Sequence, residues 1–224
     1  TLSVWCANSG RELAVLAGHT NAIAAAAFTA DNSLILSGSF DNTLKIWDAM
    51  LPEDFSGWNG HSKSVTVLSF SPDGKKMVSG SEDNTLKIWE IATGKEVATL
   101  RGHTHAVLAC AFSPDCSLVV SGSADNTLKI WETATGEEKA KLPKFFMFFN
   151  ERFKIGKKAA RCEIATLSGH DDWVKSCAFS PDGSLVVSGS ADNTLKIWEA
   201  AKGKEIATLR GHTRAVLSCA FSPN

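Results

Sequence analysis

GHTHAVLACAFSPDCSLVVSGSADNTLKIWE, residues 102–132, holds three short strand patterns divided by turn chemistry. Val107 to Phe112 is apolar throughout, as suits a strand covered on both faces. Ser113-Pro114-Asp115 makes a turn. Leu118 to Ser121 is a second strand, and Asp125-Asn126 suits a tight hairpin. Thr127 to Trp131 alternates Leu, Lys and Ile, which predicts a third strand with one buried face. One copy upstream, Ile91 to Gly94 turns after Trp89, and Glu96 to Leu100 supplies a fourth strand.

The same text recurs along the chain. Gly-His pairs stand at 18–19, 60–61, 102–103, 169–170 and 211–212, with spacings of 42, 42, 67 and 42. Tryptophans at 5, 47, 89, 131 and 198 step by 42, 42, 42 and 67. Both series are lengthened once by the same amount, so a single insertion interrupts a fixed period. Four strands in each period of this length, with Gly-His and Trp-Asp marks, make a propeller-blade signature.

On these residues the chain resembles the WD-repeat β-propeller family over nearly its whole length. The literal Trp-Asp occurs once, at Trp47-Asp48, and Glu follows at Glu90, Glu132 and Glu199. The resemblance implies an all-β propeller of four-stranded antiparallel blades. About five blades are expected, four of them with complete polar tetrads, in one domain over 1–224. Thr1 aligns with Thr43 and Asn224 with Asp182. A five-bladed ring lacking one second strand is arithmetically possible. Propellers of the family resembled typically have seven blades, so the chain is expected to be part of a longer protein or complex.

Four copies repeat a polar set in register: His19, Ser37, Asp41 and Trp47; His61, Ser79, Asp83 and Trp89; His103, Ser121, Asp125 and Trp131; His170, Ser188, Asp192 and Trp198. Hydroxyl, imidazole and carboxylate suggest a hydrolase triad. A catalytic constellation is normally built once, however, and this one recurs with an indole N–H that needs an acceptor. The resemblance implies a structural hydrogen-bond chain from Trp through Ser and His to Asp. No catalytic residue is assigned. The histidines come one to a blade, so no metal is expected, and no cofactor motif is present.

Differences between the copies mark a candidate partner-binding rim. After each Gly-His stand Asn21, Lys63, His105, Asp172 and Arg214, followed by Ala22, Ser64, Ala106, Trp173 and Ala215. Before the hairpin aspartates stand Phe40, Glu82, Ala124 and Ala191. Aromatic and charged side chains are typical interface anchors, whereas exposed loops also drift freely. Trp58, in a stretch that departs from the fourth-strand text, is expected to pack on the next blade. Pro52 nearby argues for an edge strand or loop.

The insertion, at about 138–162, is unlike its surroundings. Lys139 to Arg161 carries eight Lys/Arg against Glu151 alone, and five of the twelve phenylalanines. It reads as a basic amphipathic segment for a membrane surface or partner groove, as a cover on the propeller's side, or as foreign sequence. Glu163 to Leu167 repeats the EIATL of Glu205 to Leu209, which places the fourth strand there and the insertion opposite the rim. A strand at Glu138 to Leu142 instead would bring the insertion out on the rim.

Net charge is −1, which advertises neither nucleic acid nor membrane, the 139–161 segment apart. Cys110, Cys177 and Cys219 share a slot that Ala26 and Leu68 fill elsewhere, a small buried apolar position rather than a disulfide framework. Reduced thiols fit a cytoplasmic or nuclear protein. Asn32 and Cys116 stand where Gly74 and Gly183 follow Ser-Pro-Asp or its counterpart. A Cys held there at positive φ would cost about 1 kcal/mol. The expected function is a non-catalytic scaffold presenting the rim to other proteins or peptides. The alternatives are a sensor or recruitment module of a larger signalling protein, and an enzyme with a site in the axial channel.

Overall fold

Apolar alternation with a turn at each interval yields antiparallel strands and, among the described residues, no helix. The computed structural model describes residues 1–29, 32–49, 54–133 and 163–223, with backbone alone at 54–56. β1 (Leu2–Trp5) and β2 (Glu12–Leu16) pair as a two-stranded sheet. Four four-stranded sheets follow. The first holds β3 (Ile23–Phe28), β4 (Leu34–Ser39), β5 (Thr43–Asp48) and β6 (Asp54–Asn59). The second holds β7 (Val65–Phe70), β8 (Lys76–Ser81), β9 (Thr85–Glu90) and β10 (Glu96–Arg101). The third holds β11 (Val107–Phe112), β12 (Leu118–Ser123), β13 (Thr127–Glu132) and β14 (Glu163–Ser168). The fourth holds β15 (Val174–Phe179), β16 (Leu185–Ser190), β17 (Leu195–Glu199) and β18 (Lys204–Leu209).

β14 pairs with β13, Leu167 opposite Leu128 and Ala165 opposite Ile130. The fourth strand of that blade is therefore the one that repeats EIATL. β13 ends and β14 begins at the end of the blade remote from the Gly-His loops. The 138–162 insertion itself lies outside the described residues.

Turn geometry follows residue type. Asn42, Asn84, Asn126 and Asn193 take φ of 67–71° in the hairpins between second and third strands, a conformation Asn tolerates better than most residues. Cys116 adopts φ 62° and Asn32 φ 59°, where the other copies use Gly74 and Gly183.

Blades stack through the second strand. A Cβ on Gly38, Gly80, Gly122 or Gly189 would lie 2.6–2.7 Å from a methyl of Val65, Val107, Val174 or Val216 in the next copy. Only glycine lets the inner strand of one blade approach the second strand of its neighbour so closely. Gly122→Val should therefore lower stability by about 1–3 kcal/mol through overpacking. A urea titration showing an unchanged midpoint would contradict this contact.

The core is divided into four clusters, each lying between neighbouring sheets. Leu36, Leu44 and Trp58 of one blade meet Val65, Met77 and Trp89 of the next, with Trp58 stacked on Trp89 at 5.6 Å. Trp58 thus packs on the following blade, from the outermost strand, β6. Val107 to Phe112, β11, is largely covered as expected. One expectation is corrected: in the slot read as buried, Cys110 is buried but Leu68, Cys177 and Cys219 are half-buried and Ala26 is exposed. β3 alternates, and Ala24 and Phe28 are exposed as well. The sheet before β3 consists of β1 and β2, and its contact with β3 leaves a recess lined by Trp5, Ala26 and Phe28.

Candidate functional site

The tetrads form one hydrogen-bond chain in each complete blade. Trp131 Nε1 lies 2.8 Å from Ser121 Oγ, which is 2.7 Å from His103 Nε2. His103 Nδ1 is 2.8 Å from Asp125 Oδ2. The sets of His19, His61 and His170 repeat these contacts at 2.7–2.9 Å. The third strand supplies the indole and the second the serine. The Gly-His loop supplies the imidazole and the hairpin the carboxylate. The chain therefore ties two strand connections, the Gly-His loop and the hairpin, to the core.

Its proton direction follows from the donors. An indole N–H can only donate, so the serine oxygen accepts from Trp and its own O–H donates to His Nε2. That arrangement leaves an Nδ1–H to face the carboxylate. Burial pushes His61 and His170 below their ordinary range and outweighs Asp83 and Asp192 beside them. Each carboxylate is saturated. Asp125 Oδ2 also accepts from the Thr104 N–H, and Oδ1 from the N–H and Oγ1–H of Thr127. Burial alone would raise Asp192, but hydrogen bonds from Thr194, His170 and the Asp171 backbone bring it to about 2.

Three further sets belong to this architecture and are absent from the sequence reading. Thr43, Thr85, Thr127 and Thr194 close the hairpin onto the Asp. Ser39, Ser81, Ser123 and Ser190 donate to the carbonyls of Ala22, Lys63, His105 and Asp172 in the Gly-His loops. Lys87, Lys129 and Lys196 pair at 2.7–2.8 Å with Glu96, Glu163 and Glu205 across the third and fourth strands. Burial disfavours the charge on Glu96, but Lys87 and Thr99 hold its pKa below the usual value. All three sets recur in register, so the periodicity that revealed the tetrads carried their signal too.

Ser, His and Asp here match a hydrolase triad in distance, yet the chemistry is blocked. Ser37, Ser79, Ser121 and Ser188 are 0% exposed, and an indole proton occupies each hydroxyl oxygen. A substrate carbonyl cannot reach them. Among the described residues, no group of three or more His, Cys, Asp or Glu could hold a metal, and no helix is long and apolar enough to cross a membrane.

The rim residues all lie at one end of the blades with exposed side chains: Asn21, Phe40, Lys63, Glu82, His105, Asp172, Trp173 and Arg214. In the four complete blades the rim backbone is fixed. The N–H groups of Phe40, Glu82, Ala124 and Ala191 donate at 2.9–3.0 Å to the carbonyls of Ala22, Ser64, Ala106 and Trp173. Adjacent blades are laced as well, since Asn84 donates to the Thr104 carbonyl and Asn126 to that of Asp171. Phe40 (43% exposed) faces Ala22, and Trp173 (49%) faces Ala191, so neither ring is covered by its cross-strand neighbour. Asn21 is partly engaged, capping the Ala22 N–H. Among the described residues, the side chains of Lys63, Glu82 and Arg214 make no hydrogen bond or ion pair within the chain. Lys175, missed in the sequence reading, lies with Nζ 4.3 Å from the Trp173 ring centroid.

Comparison with known proteins follows the same repeats. The family described as "WD domain, G-beta repeat" matches residues 10–48, 55–90, 94–132, 161–199 and 203–224. Apoptotic protease-activating factor 1 of Danio rerio is 49% identical over 47 residues, 21% of this chain and 3% of that protein. Protein Mut11 of Chlamydomonas reinhardtii is 57% identical over 42 residues, 19% of this chain and 11% of that protein. Nuclear distribution protein PAC1 of Candida albicans is 50% identical over 36 residues, 16% and 7% of the two. The matched stretches thus span a small part of each relative.

Proposed function

The chain belongs to the WD-repeat family, and from that premise we propose that it is a non-catalytic scaffold whose Gly-His rim docks partner proteins or peptides. The observation that carries the reading is the contrast between fixed and variable parts. Every complete blade spends its buried polar groups on holding the rim backbone, through the tetrad, the second serine and the threonine. The side chains displayed on that fixed frame differ from blade to blade and point into solvent. Rigid elements presenting solvent-facing anchors lose little entropy on association, and aromatic and Arg anchors dominate such interfaces. Trp173, Phe40 and Arg214 are the proposed anchors.

The test is affinity capture with the chain in its natural full-length context. A Trp173→Ala, Arg214→Ala double variant should lose partner recovery by at least about tenfold, as removal of two anchors predicts. Its melting temperature should stay near wild type, because exposed substitutions of this kind change stability by only about 0.5 kcal/mol. Undiminished recovery would count against the rim.

A further inference from the structure

We propose that the rim of the β15–β18 blade recognises a cationic side chain, an arginine or lysine of a partner protein, and that Lys175 holds that cation's place in the free protein. The inference rests on the rim reading and names its chemistry. Two carboxylates precede the exposed indole, Asp171 and Asp172, where the other copies have Thr20-Asn21, Ser62-Lys63, Thr104-His105 and Thr213-Arg214. This blade alone places two negative charges beside an aromatic face. The backbone N–H of Asp171 bonds to Asp192 Oδ2, its carbonyl accepts from Asn126, and the Asp172 carbonyl accepts from Ser190. The loop is therefore pinned while both acids stay exposed. Asp172 Oδ1 accepts the Trp173 N–H at 2.7 Å, and Oδ2 makes no hydrogen bond among the described residues.

The second observation is Lys175 itself. Its slot holds Ala24, Thr66, Leu108 and Leu217 in the other copies, so aromatic and cation occur together in one blade. Its ammonium sits 4.3 Å from the ring centroid, which shows that the indole face accepts a cation in the geometry of a cation–π contact. A tethered ammonium on a flexible four-carbon stem is easily displaced. A planar guanidinium stacks on an indole and can be met by a carboxylate at the same time. An incoming arginine would take the ring face, pair with Asp171 or Asp172, and release Lys175 to solvent.

Lys175 is the discriminating residue, because it competes with a cationic ligand and would assist an anionic one. The probes are three peptides, Gly-Gly-Arg-Gly-Gly, Gly-Gly-Glu-Gly-Gly and Gly-Gly-Leu-Gly-Gly. They are titrated into the ¹⁵N-labelled full chain while the Trp173 indole N–H resonance is followed, assigned by its loss in Trp173→Phe. The arginine peptide alone should shift that resonance. Lys175→Met should tighten its binding by about threefold, the order of one exposed cation–π contact, and an Asp171→Asn, Asp172→Asn variant should weaken it. Tighter binding of the glutamate peptide, or weaker arginine binding in Lys175→Met, overturns the proposal while leaving a docking rim of other chemistry. No response to any peptide also overturns it, and the capture experiment then judges the rim independently.

Discussion

Trp131→Ala is expected to lower the unfolding free energy by about 3–5 kcal/mol, the range for truncating a fully buried large aromatic. Trp131 is 1% exposed and packs with Val107, Phe112 and Val119 of its own sheet and Leu86, Ile88 and Leu100 of the preceding one. Two effects add. The cavity opens at the contact between two blades, and Ser121 Oγ loses the donor that orients its proton toward His103. Trp131→Phe separates them: it retains most of the volume and removes only the N–H. Its cost should be clearly smaller, of the order of the roughly 0.5–1.5 kcal/mol of one hydrogen bond plus a modest shape change. Equal losses in the two variants, read from urea midpoints, would show that the polar chain and not packing dominates. No loss in either would remove the tryptophan from the core altogether.

Acid should weaken the tetrads in two stages. His61 and His170 have folded pKa values held below the ordinary range by burial. Their contribution is complete above the unfolded value of about 6.5 and is lost as pH falls toward the lowered folded value. The mechanism is visible in the donors. A proton on Nε2 would point at a serine oxygen that already accepts from Trp89 or Trp198 and whose own hydrogen would then lack its acceptor. Asp83, Asp125 and Asp192 are likewise depressed, Asp192 to about 2, despite the burial that opposes it. Their contribution is present above about 3.9 and disappears at lower pH. Urea midpoints should therefore fall between pH 7.5 and 5.5 and fall again between pH 4.5 and 3. A midpoint flat down to pH 5 would mean that the two imidazoles are not held neutral.

The period of Gly-His and Trp by itself determined the number of strands in each copy, their order and their turns. Alternation and turn residues are local properties, and five copies state them repeatedly. Repetition also made the tetrads legible, since four polar residues kept in register through near-identical units must meet the same environment. It equally placed the fourth strand of the third full blade at Glu163, beyond the insertion. Tertiary structure decided what depends on neighbours rather than on the copy. Val107 reads as another apolar residue until it closes on Gly80 across the blade interface. β3 has the text of a covered strand, yet Phe28 stands 49% exposed because coverage comes from the sheet beside it. Lys175 looks like one more charged residue in a strand until the fold lays it over Trp173. Local pattern fixes hydrogen-bonding partners within a sheet, whereas burial and ring contacts are set by the distance between sheets, and no single copy encodes that distance.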